Sequence, residues 1–371
     1  MRILYFVPYA PSLIRVRPYQ LIRALARRGN ALTVVAPWSS ESEREELRQL
    51  AGPNITIRTR RLPRWRPLMN CLRSVQAHWP YQAAFSWDPG LLEQASSALR
   101  EESFDVVHVE HLRGSLFGIH LAEMLRRIGG SSGQPPQVTP VIWDSVDCIS
   151  HLLEQAVVRS SSTAGRWMAR LDLNRTRHFE GWLTCQFDHV LVTASADREA
   201  LLQLRNLIQG RLRRKHSEIW PDSTFSVLPN GVDLDYFSPD STPRDPETLV
   251  FSGKMSYHAN VTAAHFLLNE IMPKVWRSRP GVRVLIAGKN PPKSLRTLAA
   301  DFNSKGIGAN GSASSRQPRV EVTGEVPDLR PSLRRSTISV VPIVYGAGIQ
   351  NKVLEAMACG TPVVASPVAV G

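Results

Sequence analysis

The chain has 371 residues, room for two or three domains of ~150 residues each. With 43% apolar and 21% charged residues it has the balance of a packed globular protein, which excludes a disordered chain. The formal charge is +13, and residues 1 to 80 carry 14 Arg against 4 Glu, so the excess lies near the N-terminus and is almost wholly guanidinium, a group suited to bidentate phosphate contacts.

The N-terminus, MRILYFVPYA, breaks at Pro8 and lacks the small-residue cleavage pattern of a signal peptide. It reads as a first buried strand over residues 2–7. A helix from Arg17 to Arg28 and a strand over 31–37 follow, a strand–helix–strand unit whose connection suits a right-handed crossover. Further strands are expected at 55–60, 104–110, 140–145 and 189–195, then a helix from Asp197, then TFSVLPNGVD (224–233), a strand running into a Pro-Asn-Gly turn. The segment 235–247, DYFSPDSTPRDPE, is Pro- and Asp-rich and reads as a linker. The rhythm then restarts with strands at 247–255, 282–288, 320–326, 338–344 and 362–366. Two alternating blocks imply an α/β protein with two Rossmann-like, doubly wound domains facing a cleft, at 1–234 and 248–371. The stretches 129–137 and Gly308 to Pro318 read as flexible surface loops, and there is no internal repeat.

Four scattered cysteines (Cys71, Cys148, Cys185, Cys359) form no CxxC pair, which argues against a zinc site or disulfide framework and for a reducing compartment. No apolar run approaches the ~20 residues that span a bilayer. A cytoplasmic protein is expected, with the inner membrane face as a peripheral location.

The most informative segment is GAGIQNKVLEAMACGTP, Gly346 to Pro362, between two apolar strands. A glycine loop entering a helix turns backbone N–H groups and the positive helix end toward a phosphate. The segment resembles the donor-nucleotide signature of retaining GT-B glycosyltransferases of family 4, and LEAMACGTPVVAS follows that family's wording over thirteen consecutive residues. The resemblance covers nearly the whole chain, strongest from Val227 to Ser366. It implies the GT-B fold and metal-independent transfer of a hexose from a nucleotide-diphosphate sugar, with no cofactor and no nucleic acid. Lys254 and Lys352 would offset charge on the departing diphosphate, and Glu355 would hold donor hydroxyls. Gly253, Gly346, Gly348, Ile349, Gln350, Asn351 and Asn230 would line the donor.

Departures from the family pattern are equally specific. The family pairs two glutamates; Glu355 matches the second, while Ala347 stands where the first belongs, as in subgroups with a GxGxxxKxLEA pattern. Asn260 occupies the region of the family's second cation, which makes Lys352 the partner of Lys254. Asp144 stands where related enzymes place a His near the reacting sugar. Because the family runs on through further helices, the resemblance implies a C-terminal end shortened at Gly371.

In the N-terminal half, His108, Glu110, His111 and Arg113 form one strand-end group, and Asp144, Asp147 and His151 another. His108 and His111 lack a third metal ligand at convincing spacing, so no metal is expected. Arg58, Arg60, Arg61, Arg64 and Arg66 surround Trp65 and fit an anionic acceptor or membrane surface. The expected role is sugar transfer to a glycan or lipid-linked acceptor in cell-envelope or exopolysaccharide assembly. A nucleotide-sugar epimerase and a non-enzymatic basic binding protein are the alternatives; the second lacks any helix-turn-helix, zinc-finger or RNP-type motif.

Overall fold

The computed structural model describes residues 1–12, 16–129, 139–160, 162–212, 224–305 and 319–370. Of the loop expected at 129–137, Gly129 ends the helix His111–Gly129 and the rest lies outside them, as does the loop expected at 308–318. The chain divides into two compact units, Met1–Leu153 with Leu171–Pro229, and Glu154–Arg170 with Asn230–Gly371. Among the described residues no helix is long and apolar enough to cross a membrane.

The first unit is built on seven parallel strands: β1 (Arg2–Phe6), β2 (Ala31–Trp38), β3 (Ile55–Arg61), β4 (Val106–Glu110), β5 (Val141–Val146), β6 (His189–Val192) and β7 (Phe225–Val227). Their order is β3-β2-β1-β4-β5-β6-β7, so the winding reverses beside β1. Both faces of this sheet are covered, and the twofold period of a strand divides β1 between two cores. Leu4 and Phe6 pack with Val107, Val109 and Phe117, while Ile3 and Tyr5 pack with Val34 and Ile22. Each such fully buried side chain contributes ~1.5–3 kcal/mol. The entering helices are capped locally. Ser40 accepts from Glu43 N, and Asp88 accepts from Leu91 N at 2.9 Å ahead of Pro89 in the first helical turn.

The second unit repeats the plan with β8 (Asp245–Ser252), β9 (Arg283–Ala287), β10 (Val320–Gly324), β11 (Ser336–Val341) and β12 (Val363–Ala365), ordered β10-β9-β8-β11-β12 and parallel throughout. Phe251, Val284 and Ile286 enter one core, Val250, Leu285 and Ala287 the other. All twelve expected strands occur. Two end early for identifiable reasons: β11 stops before Pro342, which has no N–H to give, and β8 stops at Gly253, where φ turns to +144°.

Candidate active site

In the second unit the winding reverses between β8 and β11, and the sequence-selected residues gather at that strand end. β8, β9 and β10 each finish on a glycine of positive φ: Gly253 (+144°), Gly288 (+154°) and Gly324 (+76°). These glycines link the strand ends. Gly253 N donates to Ala287 O at 3.0 Å and Gly288 N to Gly324 O at 3.1 Å. A Cβ on Gly288 would stand 1.8 Å from Gly253 O, so only glycine fits there.

Lys352 is the second residue of the helix Asn351–Ala358 and is buried, 7% exposed. Its Nζ donates to Asn260 Oδ1 at 2.5 Å and lies 5.0 Å from the centre of the Phe251 ring. A Cβ on Gly253 would come within 3.0 Å of that nitrogen, so the glycine makes room for the amine. Burial pushes the Lys352 ammonium down to about 8, with Glu355 pulling the other way. Asn260 Nδ2 donates to Lys254 O at 3.0 Å. One amide thus ties the backbone of one candidate lysine to the side chain of the other. Lys254 itself is exposed. Glu355 lies one turn beyond Lys352, half-buried, with its carboxyl raised by burial against the opposing pull of Lys352.

The glycine loop precedes this helix. Gly348 adopts φ +63°, Ile349 O accepts from Asn230 Nδ2 at 3.1 Å, and Gln350 N donates to Ala369 O at 3.0 Å. Gln155 Nε2 donates to Gly346 O at 3.1 Å, and Arg159 Nη1 donates to Val344 O at 3.1 Å. The Asn351 Oδ1 atom is buried with no hydrogen-bond partner among the described residues. Gly253, Lys254 and Lys352 therefore meet around Asn260, and Asn230 and Gly346 to Asn351 form the adjoining loop. His258 and Tyr345 also belong here, their Nδ1 and Oη 2.7 Å apart and their rings stacked. Sequence reasoning missed them, Gln155 and Gly288. Only Gly288 carries a signal, the repeated strand-end glycine in FSG, IAG and VTG.

The first unit gathers polar groups at its own reversal point, the ends of β1, β4 and β5. Arg17 donates to Asp144 Oδ2 from Nε at 3.1 Å and Nη2 at 2.8 Å, and from Nη1 to Leu228 O at 3.0 Å. His108 Nε2 lies 3.5 Å from the same carboxylate, its ring stacked on Tyr5 at 4.2 Å. Asp144 is held below the usual carboxylate range by His108 and Arg17, against burial. Glu110 accepts from Tyr9 at 2.7 Å and Tyr5 at 3.1 Å, and burial beside Asp144 raises it to about 8. Asp147, half-buried with Asp197 nearby, is raised by desolvation to about 7, and desolvation beside Arg113 drives His111 down to about 3. His111 (φ +62°) and Val146 (φ +67°) sit in the left-handed region, backbone strain concentrated at the β4 and β5 ends. Arg113 turns to Gln82 Oε1 at 2.7 Å, and His151 lies half-buried on the helix Ile149–Arg159. No group of three His, Cys, Asp or Glu among the described residues has the geometry to hold a metal.

Known proteins resemble this chain in sequence and in fold. The family model "Glycosyltransferase Family 4" matches residues 15–131, and "Glycosyl transferases group 1" matches 246–371. A phosphatidyl-myo-inositol mannosyltransferase of Mycobacterium tuberculosis is 30% identical over 145 residues, 38% of this chain and 34% of the relative. That alignment spans only about a third of the mannosyltransferase. Anabaena HepE, solved with UDP and glucose, superposes with a TM-score of 0.62 at 13% identity, covering 99% of this chain and 81% of its own. An α,α-trehalose-phosphate synthase (UDP-forming) from Burkholderia vietnamiensis gives 0.59 at 14% identity, covering 100% and 85%. At such identities these two are likenesses of fold. With both family models matched in chain order, the chain belongs to the family 4 type of glycosyltransferases with the GT-B fold.

Proposed function

We propose that the chain transfers a sugar from a nucleotide-diphosphate sugar to a glycan or lipid-linked acceptor, with retention at the anomeric carbon. The observation that carries this reading is the Lys352 amine, desolvated and held by Asn260 beneath Gly253 at the head of the glycine-loop helix. A buried cation at the positive end of a helix stabilises a diphosphate more strongly than it would in water. The acceptor oxygen bonds to the anomeric carbon as the bond to the diphosphate oxygen breaks. The acceptor's proton passes to that leaving oxygen, so no separate enzymic base is required. Lys352 and Lys254 offset the charge released, and Glu355 accepts hydrogen bonds from donor hydroxyls.

Two sets of relatives support the donor and acceptor classes. HepE was solved with UDP and glucose and the synthase is named UDP-forming, while the mannosyltransferase is named for a phosphatidylinositol. A lipid-linked acceptor places the work at a membrane surface, in cell-envelope or exopolysaccharide assembly. The test is thermal stabilisation by UDP-, GDP-, ADP- and dTDP-sugars, with Lys352→Met and Glu355→Gln alongside. One nucleotide class should stabilise the wild-type chain. Lys352→Met should lose that effect, and Glu355→Gln should keep the response to the bare nucleotide while losing the increment from the sugar. A folded chain that responds to none of them sinks the reading.

A further inference from the structure

The helix Arg66–Ala77 is turned inside out. Its buried side chains are Asn70 and Ser74, at 6% and 1% exposure. Its solvent face carries Trp65, Leu68, Met69, Leu72 and Val75, with Trp65, Leu68 and Leu72 each about 60% exposed. The spacing i, i+3, i+4, i+7, i+10 is that of one helix face. The inner face is held by polar bonds: Asn70 Nδ2 donates to Trp87 O at 2.8 Å, and Arg66 Nε reaches Asp88 Oδ2 at 3.1 Å. A globular helix ordinarily buries the apolar stripe, so this one is arranged for an apolar environment outside the chain.

The charge beside the stripe says which environment. From Leu47 to Trp87 there is no Asp or Glu, and there are seven Arg. Arg60 and Arg66 are taken up by Asp88, and Arg58 by Glu101. Arg64 and Arg73, next to and within the apolar stripe in the sequence, are exposed, and Arg61 is exposed with its guanidinium 5.7 Å from the centre of the Trp38 ring. A second copy of the chain would set arginine rim against arginine rim. An anionic lipid surface offers phosphates to the rim and acyl chains to the stripe, with an indole at the boundary where tryptophan is favoured.

We propose that Trp65 and the helix Arg66–Ala77 form a docking element that lies in the interface of an anionic bilayer, with Trp65, Leu68 and Leu72 inserted and Arg61, Arg64 and Arg73 on the phosphates. This deepens the lipid-linked-acceptor part of the proposed function and rests on it only for its purpose, since docking is measurable without transfer. The experiment is co-sedimentation with phosphatidylcholine vesicles and with vesicles containing about a third phosphatidylglycerol, with brominated acyl chains to quench inserted tryptophan. The wild-type chain should bind the anionic vesicles, release with salt and show quenching. W65S/L68S/L72S should lose at least tenfold in binding together with the quenching. R64Q/R73Q should lose about fivefold per arginine on anionic vesicles only. Binding of the nucleotide class that stabilises the wild-type chain, measured separately for each variant, shows that the donor site is intact and keeps a docking failure distinct from a failed donor site. Binding that is equal in W65S/L68S/L72S and wild type overturns the proposal. So does no binding to anionic vesicles, or a solution dimer abolished by W65S/L68S/L72S, which would assign the face to a second copy.

Discussion

Replacing Lys352 by Met should make the fold more stable at neutral pH while removing nucleotide binding. Burial lowers this amine to about 8, below its ordinary 10.5. A lowered lysine holds its proton less tightly in the folded chain than in the unfolded one. Folding therefore carries the full penalty below about pH 8, and the penalty fades as pH rises from 8 toward 10.5. The gap amounts to ~3 kcal/mol at pH 7. Met keeps an unbranched stem against Phe251 but leaves the buried Asn260 Oδ1 without its 2.5 Å donor, a loss of ~1–2 kcal/mol. The net expectation at pH 7 is a gain of ~1–2 kcal/mol. At pH 10.5 only the Asn260 loss remains and the variant should be the less stable protein. Guanidinium unfolding at the two pH values reads the change of sign, and calorimetric titration with the nucleotide class that binds reads the loss of affinity. A variant already destabilised at pH 7, or one that binds nucleotide as the wild type does, refutes the reasoning.

Three further expectations rest on single features. Gly288→Ala places a Cβ 1.8 Å from Gly253 O at φ +154°, and should cost ~2–5 kcal/mol in denaturant unfolding; a loss below ~1 kcal/mol would mean the strand-end glycines are interchangeable with alanine. In the first unit Glu110 is raised to about 8 and Asp147 and Glu180 to about 7, chiefly by burial, so their folded-state carboxyls hold protons that the unfolded chain has released. That contribution is complete below the unfolded values and is lost as pH rises through 7 to 8, so the unfolding midpoint of this unit should drop between pH 6.5 and 8.5, and Glu110→Gln should flatten the slope; a level profile in the wild-type chain contradicts it. Arg17→Ala leaves the fully buried Asp144 with His108 and the Val146 N–H but without its guanidinium and should cost ~3–5 kcal/mol, whereas Arg17→Ala/Asp144→Asn should recover much of the loss in a double-mutant cycle.

Strands were legible because burial on both faces of a parallel sheet leaves short apolar runs such as RILYFV, VRVLIAG and ISVVPIV, each punctuated by glycine or proline. Their order was legible only as a class. Nothing in RILYFV states that it pairs with both Ala31–Trp38 and Val106–Glu110, which follows from right-handed crossovers and the twofold winding. The residues proposed for the donor side could be singled out because they are local: Gly346 to Glu355 lie in one loop and the helix it feeds. What escaped was every long-range choice of partner. Asn260 is an asparagine in the first turn of the helix His258–Phe266, and only folding across ninety-two positions brings it to Lys352. Arg17 is one of 14 arginines in its region, yet it is the one buried 127 positions away against Asp144. The Arg66–Ala77 helix inverts the usual inference outright: its apolar period reads as a core-facing stripe, and only the bonds of Asn70 to Trp87 show that the polar side faces in. Periodicity identifies a face, and the partner decides its direction. A sequence therefore gives the chemistry of a local loop more readily than the orientation of an amphipathic helix, whose two faces are equally compatible with the same pattern until the neighbours of one are known.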